Sequence, residues 1–325
     1  MIYTDKEQSM EKESASGWIM KKVRGLVQEL NRLVASTGGQ TAIQGPIPVY
    51  LPLKKALLSS GVGETLVNGF KNHLSQERGE EETGWVLLGY RESTKAVVLA
   101  ALPAGEFRES SSTHVRFNSQ AQEIAARLVR QKDQRLVVLG VVHTHPGSMR
   151  HPSSGDYRGD ISWVEHLAGK EGIFAIGTAD GPVNCSPFAS KTGQNAFVMG
   201  GVRFTWYSLA SKESNYKPLP FVWSLAPDLA QPWHAAWGLL EKNSKEINRI
   251  LSGQNGARCF SSVFQGEPVI TLEVPAGDAD TKIQAVLGAG NIRFFVSRRG
   301  EMMAVDLQEN KLDRGLFMVL AELSK

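Results

Sequence analysis

Cysteine is nearly absent: Cys185 and Cys259 are the two in 325 residues, far apart and without a Cys-x-x-Cys pair. This excludes a disulfide framework and a thiolate zinc site, and leaves two small, buried side chains in a reducing compartment. An excess of either charge is missing too. Lys and Arg number 36 against 33 Asp and Glu, a net +3 with the signs interspersed, so the long basic blocks that phosphate-backbone binding needs are lacking and nucleic acid is not the expected partner. No apolar run comes near the roughly 20 residues that cross a bilayer; Leu136 to Val142, broken by Gly140, reads as a buried strand, and no membrane partner is expected. Met1 to Glu13 is polar and acidic rather than an apolar secretory leader, so the expected compartment is the cytoplasm. No internal repeat occurs.

What is present is enough chain for two domains. After a charged tail, Trp18, Ile19, Val23, Leu26, Leu30 and Leu33 recur at spacings of three and four, the stripe of an amphipathic helix. Gly38-Gly39 ends it, and the Gly- and Pro-containing stretch to Pro48 reads as a linker, which sets residues 1–47 apart. From there the pattern predicts a helix around Lys54 to Leu74, strands Trp85 to Gly89 and Ala96 to Leu102, and a helix Gln120 to Lys132. A strand Leu136 to His143, a helix Asp156 to Leu167 with Asp156 as its cap, and strands Ile173 to Gly177 and Ala196 to Trp206 follow. This is an α/β domain over residues 48–210, a sheet with helical cover. The prolines of Lys217-Pro218-Leu219-Pro220, with Pro227 and Pro232, mark a boundary placed at 211. Beyond it a helix Trp233 to Leu251, strands Ser262 to Gln265, Val269 to Val274, Lys282 to Leu287, Ile292 to Ser297 and Met302 to Leu307, and a last helix Arg314 to Leu323 predict a C-terminal α+β module, with Arg299-Gly300 as a hairpin turn.

The chemistry concentrates in one stretch. His143 and His145 stand two apart at the end of the strand, so both imidazoles point to one face, and Asp156 follows at a predicted helix start. Two imidazoles and a carboxylate leave a fourth tetrahedral position open, the donor set of a catalytic rather than a structural zinc site. Upstream, Glu82 lies in Glu82-Thr83-Gly84-Trp85, just before the first strong strand, where a carboxylate can be held at the sheet edge; Glu80 and Glu81 compete with it on spacing alone. His151 lies in the loop between and is a weak further candidate ligand, Thr144 points to the other face, and His73, His114, His166 and His234 have no ligand spacing.

Glu82 before Gly84 and a Leu-Leu-Gly strand, His143-x-His145-Pro146, and Ser153-x-x-Asp156 together resemble the JAMM motif of MPN-domain (JAB-type) metalloproteases. The resemblance spans roughly residues 48 to 206 and is specific around Glu82 and from His143 to Asp156. One departure is Val142, where family members often carry an aromatic. The resemblance implies a cytidine-deaminase-like fold and one Zn2+ per chain held by His143, His145 and Asp156. It also implies Glu82 as general base and then proton donor to the leaving amine, and Ser153 as hydrogen-bond donor to the developing oxyanion; a place beside the helix cap or in a turn is the alternative for Ser153. The activity it implies is isopeptide or peptide hydrolysis after the C-terminal glycine of ubiquitin or a ubiquitin-like modifier, in a bacterial setting beside activating-enzyme and conjugating-enzyme homologues, some of it linked to defence against phage. Two other readings stand beside it: a non-catalytic MPN scaffold, whose members typically lack a ligand, and a RadC-like DNA-associated protein, from which Thr144 and Gly147-Ser148 depart. For the C-terminal module the modifier, its target or a second copy of the chain are all candidate partners.

Overall fold

A computed structural model of the chain describes residues 48–324 except 112–113, 183–189, 278–279 and 289. The stripe from Trp18 to Leu33 and Cys185 lie outside the described residues. In chain order the first part holds β1 (Lys55–Ser59), α1 (Ser60–Leu74), β2 (Gly84–Arg91), β3 (Lys95–Pro103), the small hairpin β4 (Glu109–Ser111) and β5 (His114–Arg116), α2 (Ser119–Arg130) and β6 (Val137–Thr144). There follow α3 (Ser154–Val164), β7 (Glu171–Thr178), β8 (Ser190–Lys191), β9 (Ala196–Met199), β10 (Val202–Ala210), β11 (Lys217–Pro218) and β12 (Phe221–Ser224). Apart from β4 and β5 these strands make one mixed sheet in the order β12-β1-β3-β2-β6-β7-β10-β9-β8, with β11 on β10. Its centre, β2, β6 and β7, is buried along nearly its whole length because helices cover both faces, which is why these strands read as near-continuous apolar runs.

The two faces are sorted by alternation. Trp85 and Leu87 point into a core with Val62, Leu66 and Phe70 of α1, while Val86 and Leu88 point into a second core with Ile124 and Leu128 of α2. In β6 the alternation changes phase. Leu139 and Val142 share the α1 core and Val138 and Val141 the other, pairs three apart that only an inserted residue allows. The insertion sits at Gly140, whose φ is +150° and where a Cβ would come 1.8 Å from the Ile173 carbonyl oxygen; the β2–β6 register shifts beside it. This bulge turns His143 and His145 to the α2 and α3 side.

The second part holds α4 (Trp237–Gly253), β13 (Arg258–Phe264), β14 (Glu267–Pro275), β15 (Thr281–Leu287), β16 (Ile292–Arg298), β17 (Glu301–Val305) and α5 (Leu312–Leu323). The five strands form an antiparallel meander. Arg299-Gly300 turns β16 into β17 with φ of +52° and +85°, as a hairpin of type I′ requires and as the sequence predicts.

Several boundaries differ from the sequence reading. Residues 55–59 are a strand, not the first turn of a helix, because Ala56 and Leu58 alternate into the core, Ala56 pairing with Ala96 and Phe221 and Leu58 with Val98 and Trp223. The expected strand from Ala196 to Trp206 is a hairpin, β9 and β10, broken at Gly200-Gly201, both with positive φ. The helix expected from Trp233 begins as a 3-10 turn, Gln231–Ala236, before α4. The proline-containing stretch after 211, where the sequence reading places a boundary, still belongs to the first part's sheet: β11 and β12 pair with it, Pro218 opposite Tyr207 and Phe221 opposite Ala56 at the sheet edge, where a proline is tolerated. One core then runs without interruption from Leu128 of α2 through Leu240 and Ile247 of α4 to Leu272 of β14.

Candidate metal centre

The end of β6 carries the site. His143 pairs in register with Gly84 on one side and Ile176 on the other, so the neighbouring strands fix its backbone. A Cβ on Gly84 would lie 2.5 Å from the Val142 carbonyl oxygen, so glycine lets the two strands close up here. Thr144, on the opposite face, is structural as expected: its backbone N–H donates to the Thr83 carbonyl (2.9 Å) and its hydroxyl accepts from the Thr83 N–H (3.0 Å). His145 leaves the strand but its N–H still donates to the Gly177 carbonyl at 2.8 Å.

Asp156 is brought in by α3. Ser153 is the N-cap, its Oγ accepting from the Asp156 N–H (3.1 Å) while the Asp156 carboxylate accepts from the Ser153 N–H (2.5 Å), a reciprocal capping box. The helix therefore starts two residues earlier than the sequence predicts, with Asp156 at its third position rather than at its cap.

The donors converge. His143 Nε2 lies 3.2 Å from His145 Nε2 and 3.2 Å from Asp156 Oδ1, and His145 Nε2 lies 3.4 Å from Asp156 Oδ2. The two imidazole nitrogens are spaced as one edge of a tetrahedron with metal–ligand distances near 2.0–2.1 Å, about 3.3 Å, and each has an Asp156 oxygen at a similar distance. His145 Nδ1 is 2.7 Å from the Met149 carbonyl oxygen, so Nδ1 carries the proton and the Nε2 lone pair faces the other donors. Both imidazoles are buried, at 5% and 4% exposure, where two imidazole nitrogens and a carboxylate oxygen need a cation between them, a proton held by His143 or a metal ion that replaces it. The residues present thus fit zinc. Burial opposes a charged His143, but the Asp156 carboxylate outweighs it and raises His143 to about 9; Asp156 is held far below the usual carboxylate range, burial opposing and the two imidazoles prevailing.

Glu82 closes the site from the segment just ahead of β2, at the end of a central strand and not at the sheet edge the sequence reading expects. Its Oε1 is 4.0 Å from His145 Nε2, and the residue is 3% exposed. Burial raises its pKa, with the two imidazoles opposing. Its backbone is pinned by the Ser111 carbonyl, which accepts from its N–H (2.8 Å), and by Arg108 Nε, which donates to its carbonyl (3.2 Å). Its competitors are excluded: the Glu81 carboxylate is taken by Arg78 (2.6 Å) and the Ser110 hydroxyl (2.5 Å), and Glu80 is exposed. All five residues picked from the sequence therefore meet. His151 does not join them; its Nδ1 sits 2.9 Å from the Tyr207 hydroxyl.

Three features were not picked from the sequence. Asp160, one turn beyond Asp156 on α3, is buried beside His143; burial raises it to about 7, and its Oδ2 accepts from the Tyr216 hydroxyl at 2.8 Å. Its i+4 spacing from Asp156 was the available signal. The loop 146–152 is clamped: the Tyr207 hydroxyl donates to the Arg150 carbonyl (2.8 Å), and the Arg150 guanidinium pairs with Asp180 (2.5 Å), which also accepts from Thr178 (2.6 Å). That loop carries the Met149 carbonyl that orients His145. These contacts join residues far apart in the chain, and no local pattern announces them.

A mixed sheet with helices on both faces and a His-His-Asp centre at one strand end defines the class. Residues 66–188 match the family described as prokaryotic homologs of the JAB domain, which makes this part of the chain similar to JAB/MPN-type domains. Solved structures similar to about half the chain include a solution structure of a Desulfitobacterium hafniense protein (16% identity, 53% of this chain and 94% of that one, TM-score 0.38). A crystal structure of a JAB1/MPN domain protein from Archaeoglobus fulgidus is another (15% identity, 52% and 98%, TM-score 0.26). No curated protein matches. Among the described residues no helix is long and apolar enough to cross a membrane.

Proposed function

We propose that this centre is a zinc-dependent isopeptidase or peptidase site that cleaves after the C-terminal glycine of a ubiquitin-like modifier. The observation that supports it most is the placement of a buried carboxylate, Glu82, 4.0 Å from one imidazole of a converged His-His-Asp set. A metal site that served structure alone would have no use for an unligated acid at that distance. His143, His145 and Asp156 would hold the ion. When bound, zinc supplies Lewis acidity toward a carbonyl oxygen and makes hydroxide available near neutral pH.

The chain's own residues divide the remaining work. Glu82 accepts the proton that water loses and hands it to the leaving amine; burial raises its pKa toward the range where both transfers are efficient. Ser153 uses an oxygen lone pair to cap α3, which leaves its O–H proton to donate to an oxyanion at the helix entrance. The donor role expected from the sequence and the cap seen in the structure fit one side chain. Asp160 and the clamped loop hold the imidazoles in place.

A glycine-ended tail suits the site because backbone must pass close to His145 and Glu82 with no side chain intervening. The test is cleavage of a ubiquitin-like modifier joined to lysine through an isopeptide bond, beside the same modifier as a linear precursor. Cleavage of either that chelation abolishes and zinc restores is expected. Stoichiometric zinc with no cleavage of either would favour a scaffold.

A further inference from the structure

The five-stranded meander of the C-terminal part has two edges, and the protein treats them differently. At β13 the edge is closed by α2: the Gln131 side chain accepts from the Ser261 N–H (3.2 Å) and donates to the Cys259 carbonyl (2.7 Å). β17 is bare. It pairs with β16 alone, without a break in register, and Glu301 to Ala304 are exposed. The two-residue turn at Arg299-Gly300 makes Arg298 and Glu301 a hydrogen-bonded pair, so Glu301, Met303 and Val305 direct their backbone groups to β16 while those of Met302 and Ala304 face outward. Exposed edges are ordinarily blunted by lysine, proline, a bulge or a covering element, and among the described residues β17 has none of these.

Apolar surface gathers beside this edge. Of the fourteen exposed large apolar side chains among the described residues, six lie between positions 302 and 323, on β17 and α5. Met302 and Met303 are 56% and 55% exposed, and Phe317 of α5 is 71% exposed. Met303 pairs with Val296 and so shares the face of the sheet that also carries Phe294. α5 covers that face: its Gly315 lies against the Phe294 ring, where a Cβ would come within 2.1 Å. α4 packs toward β13, and α5 packs on β15 and β16, which leaves β17 on the open side of the helical layer.

The strand is complementary to itself when reversed. With two copies antiparallel about a twofold axis through Met303, Met302 of each faces Ala304 of the other, a large side chain beside a small one, and Glu301 faces Val305, so no two carboxylates meet. The outward N–H and C=O groups of Met302 and Ala304 fall into register, each such pair exchanging both its hydrogen bonds. The ends match in charge as well. Arg299, just before the strand, comes beside Asp306, just after it on the other copy, and both are exposed. A five-residue edge alone is too small to hold a specific dimer, which buries about 1,200–2,000 Å². The exposed Phe317, Met318, Leu320 and Leu323 of α5 supply further apolar area.

We propose that β17 pairs antiparallel with β17 of a second copy of this chain, joining the two meanders into one continuous sheet with α5 of each copy packed at the seam. The contact is isologous, so it closes at two copies and does not propagate. It lies on the C-terminal part and does not depend on the metal reading.

Sedimentation velocity with light scattering on the full chain tests this. A species of twice 35.5 kDa is expected at roughly tens of micromolar, dissociating on dilution. Met303→Lys sets two cations together at the axis, on a side chain exposed in the single copy, and weakens the dimer by at least about tenfold. Arg299→Glu and Asp306→Arg each weaken it, and the two together restore it, which a loss of structure would not do. Oxidation reads the register: Met303→Cys meets its own copy across the axis at a spacing a disulfide spans and joins two chains, whereas Glu301→Cys, two residues from the axis, does not. A chain that stays monomeric, including one whose edge takes up a ubiquitin-like modifier instead, a dimer indifferent to Met303→Lys, or equal cross-linking by the two cysteines would overturn the proposal. Neither zinc nor cleavage enters these measurements, so their failure leaves the proposed activity untouched.

Discussion

His143 is the residue whose chemistry sets the behaviour of the metal-free protein. Its pKa is raised to about 9 in the folded chain, against an ordinary value near 6.5 in the unfolded one. The stabilisation from its pairing with Asp156 is therefore complete below about pH 6.5 and is lost as pH rises through about 9. Thermal melts of chelator-treated protein are expected to show falling Tm across that window, and added zinc should abolish the fall. Zinc must displace the same proton, so its apparent affinity rises with pH up to about 9. A flat Tm from pH 6.5 to 9 in the metal-free protein would show that the imidazole is not paired as the geometry requires. The five polar positions were legible in the sequence because each is a chemically demanding type at a fixed spacing. Asp160 was not, since a lone aspartate on a helix is usually a solvated residue, and only packing against His143 and Tyr216 gives it a role.

At the scale of the element, two devices place the ligands: the bulge at Gly140 and the capping box of α3. Any side chain at 140 meets the Ile173 carbonyl, so Gly140→Ala is expected to lower stability and zinc content together. Ser153→Ala removes a cap worth about 0.5–2 kcal/mol. A kcat loss larger than that of an α3-destabilising control elsewhere would separate its oxyanion role from its capping role. Tyr207 acts at one remove. Burial raises its phenol to about 12, so it stays a neutral donor to the Arg150 carbonyl, and Tyr207→Phe frees the loop that orients His145. The expected signature is zinc affinity weaker by about tenfold with unchanged cleavage once saturated, about 1.4 kcal/mol by competition titration. Strand positions were legible from apolar runs, but the bulge was not: Gly140 interrupts the run without saying whether it bends, breaks or shifts the strand. The hairpin at Gly200-Gly201 was missed for the same reason.

Over the whole molecule, the sequence suggested a domain to 210 and a C-terminal module from 211, and in the structure the two share a core. The proline-containing stretch reads as a boundary because prolines interrupt regular patterns, yet Pro218 pairs with Tyr207 and the Pro220 carbonyl accepts from the Ala56 N–H at edges that need few N–H donors. α4 packs its Leu240 and Ile247 into the core that α2 also lines, so ending the chain at 210 removes β12 and uncovers α2. That truncation is expected to be insoluble, and Leu240→Ala to cost about 2–5 kcal/mol in denaturant unfolding, with zinc content falling in parallel. A soluble, cooperatively folded 48–210 fragment would show that the shared core is dispensable. The central claim is tested most directly by one cleavage measurement on a modifier–lysine conjugate. It compares wild-type protein with Glu82→Gln after both have been shown to carry the same one zinc per chain. The account predicts turnover by the wild type and a loss of at least about a hundredfold in Glu82→Gln, the scale of a general base. Equal rates from the two would contradict it.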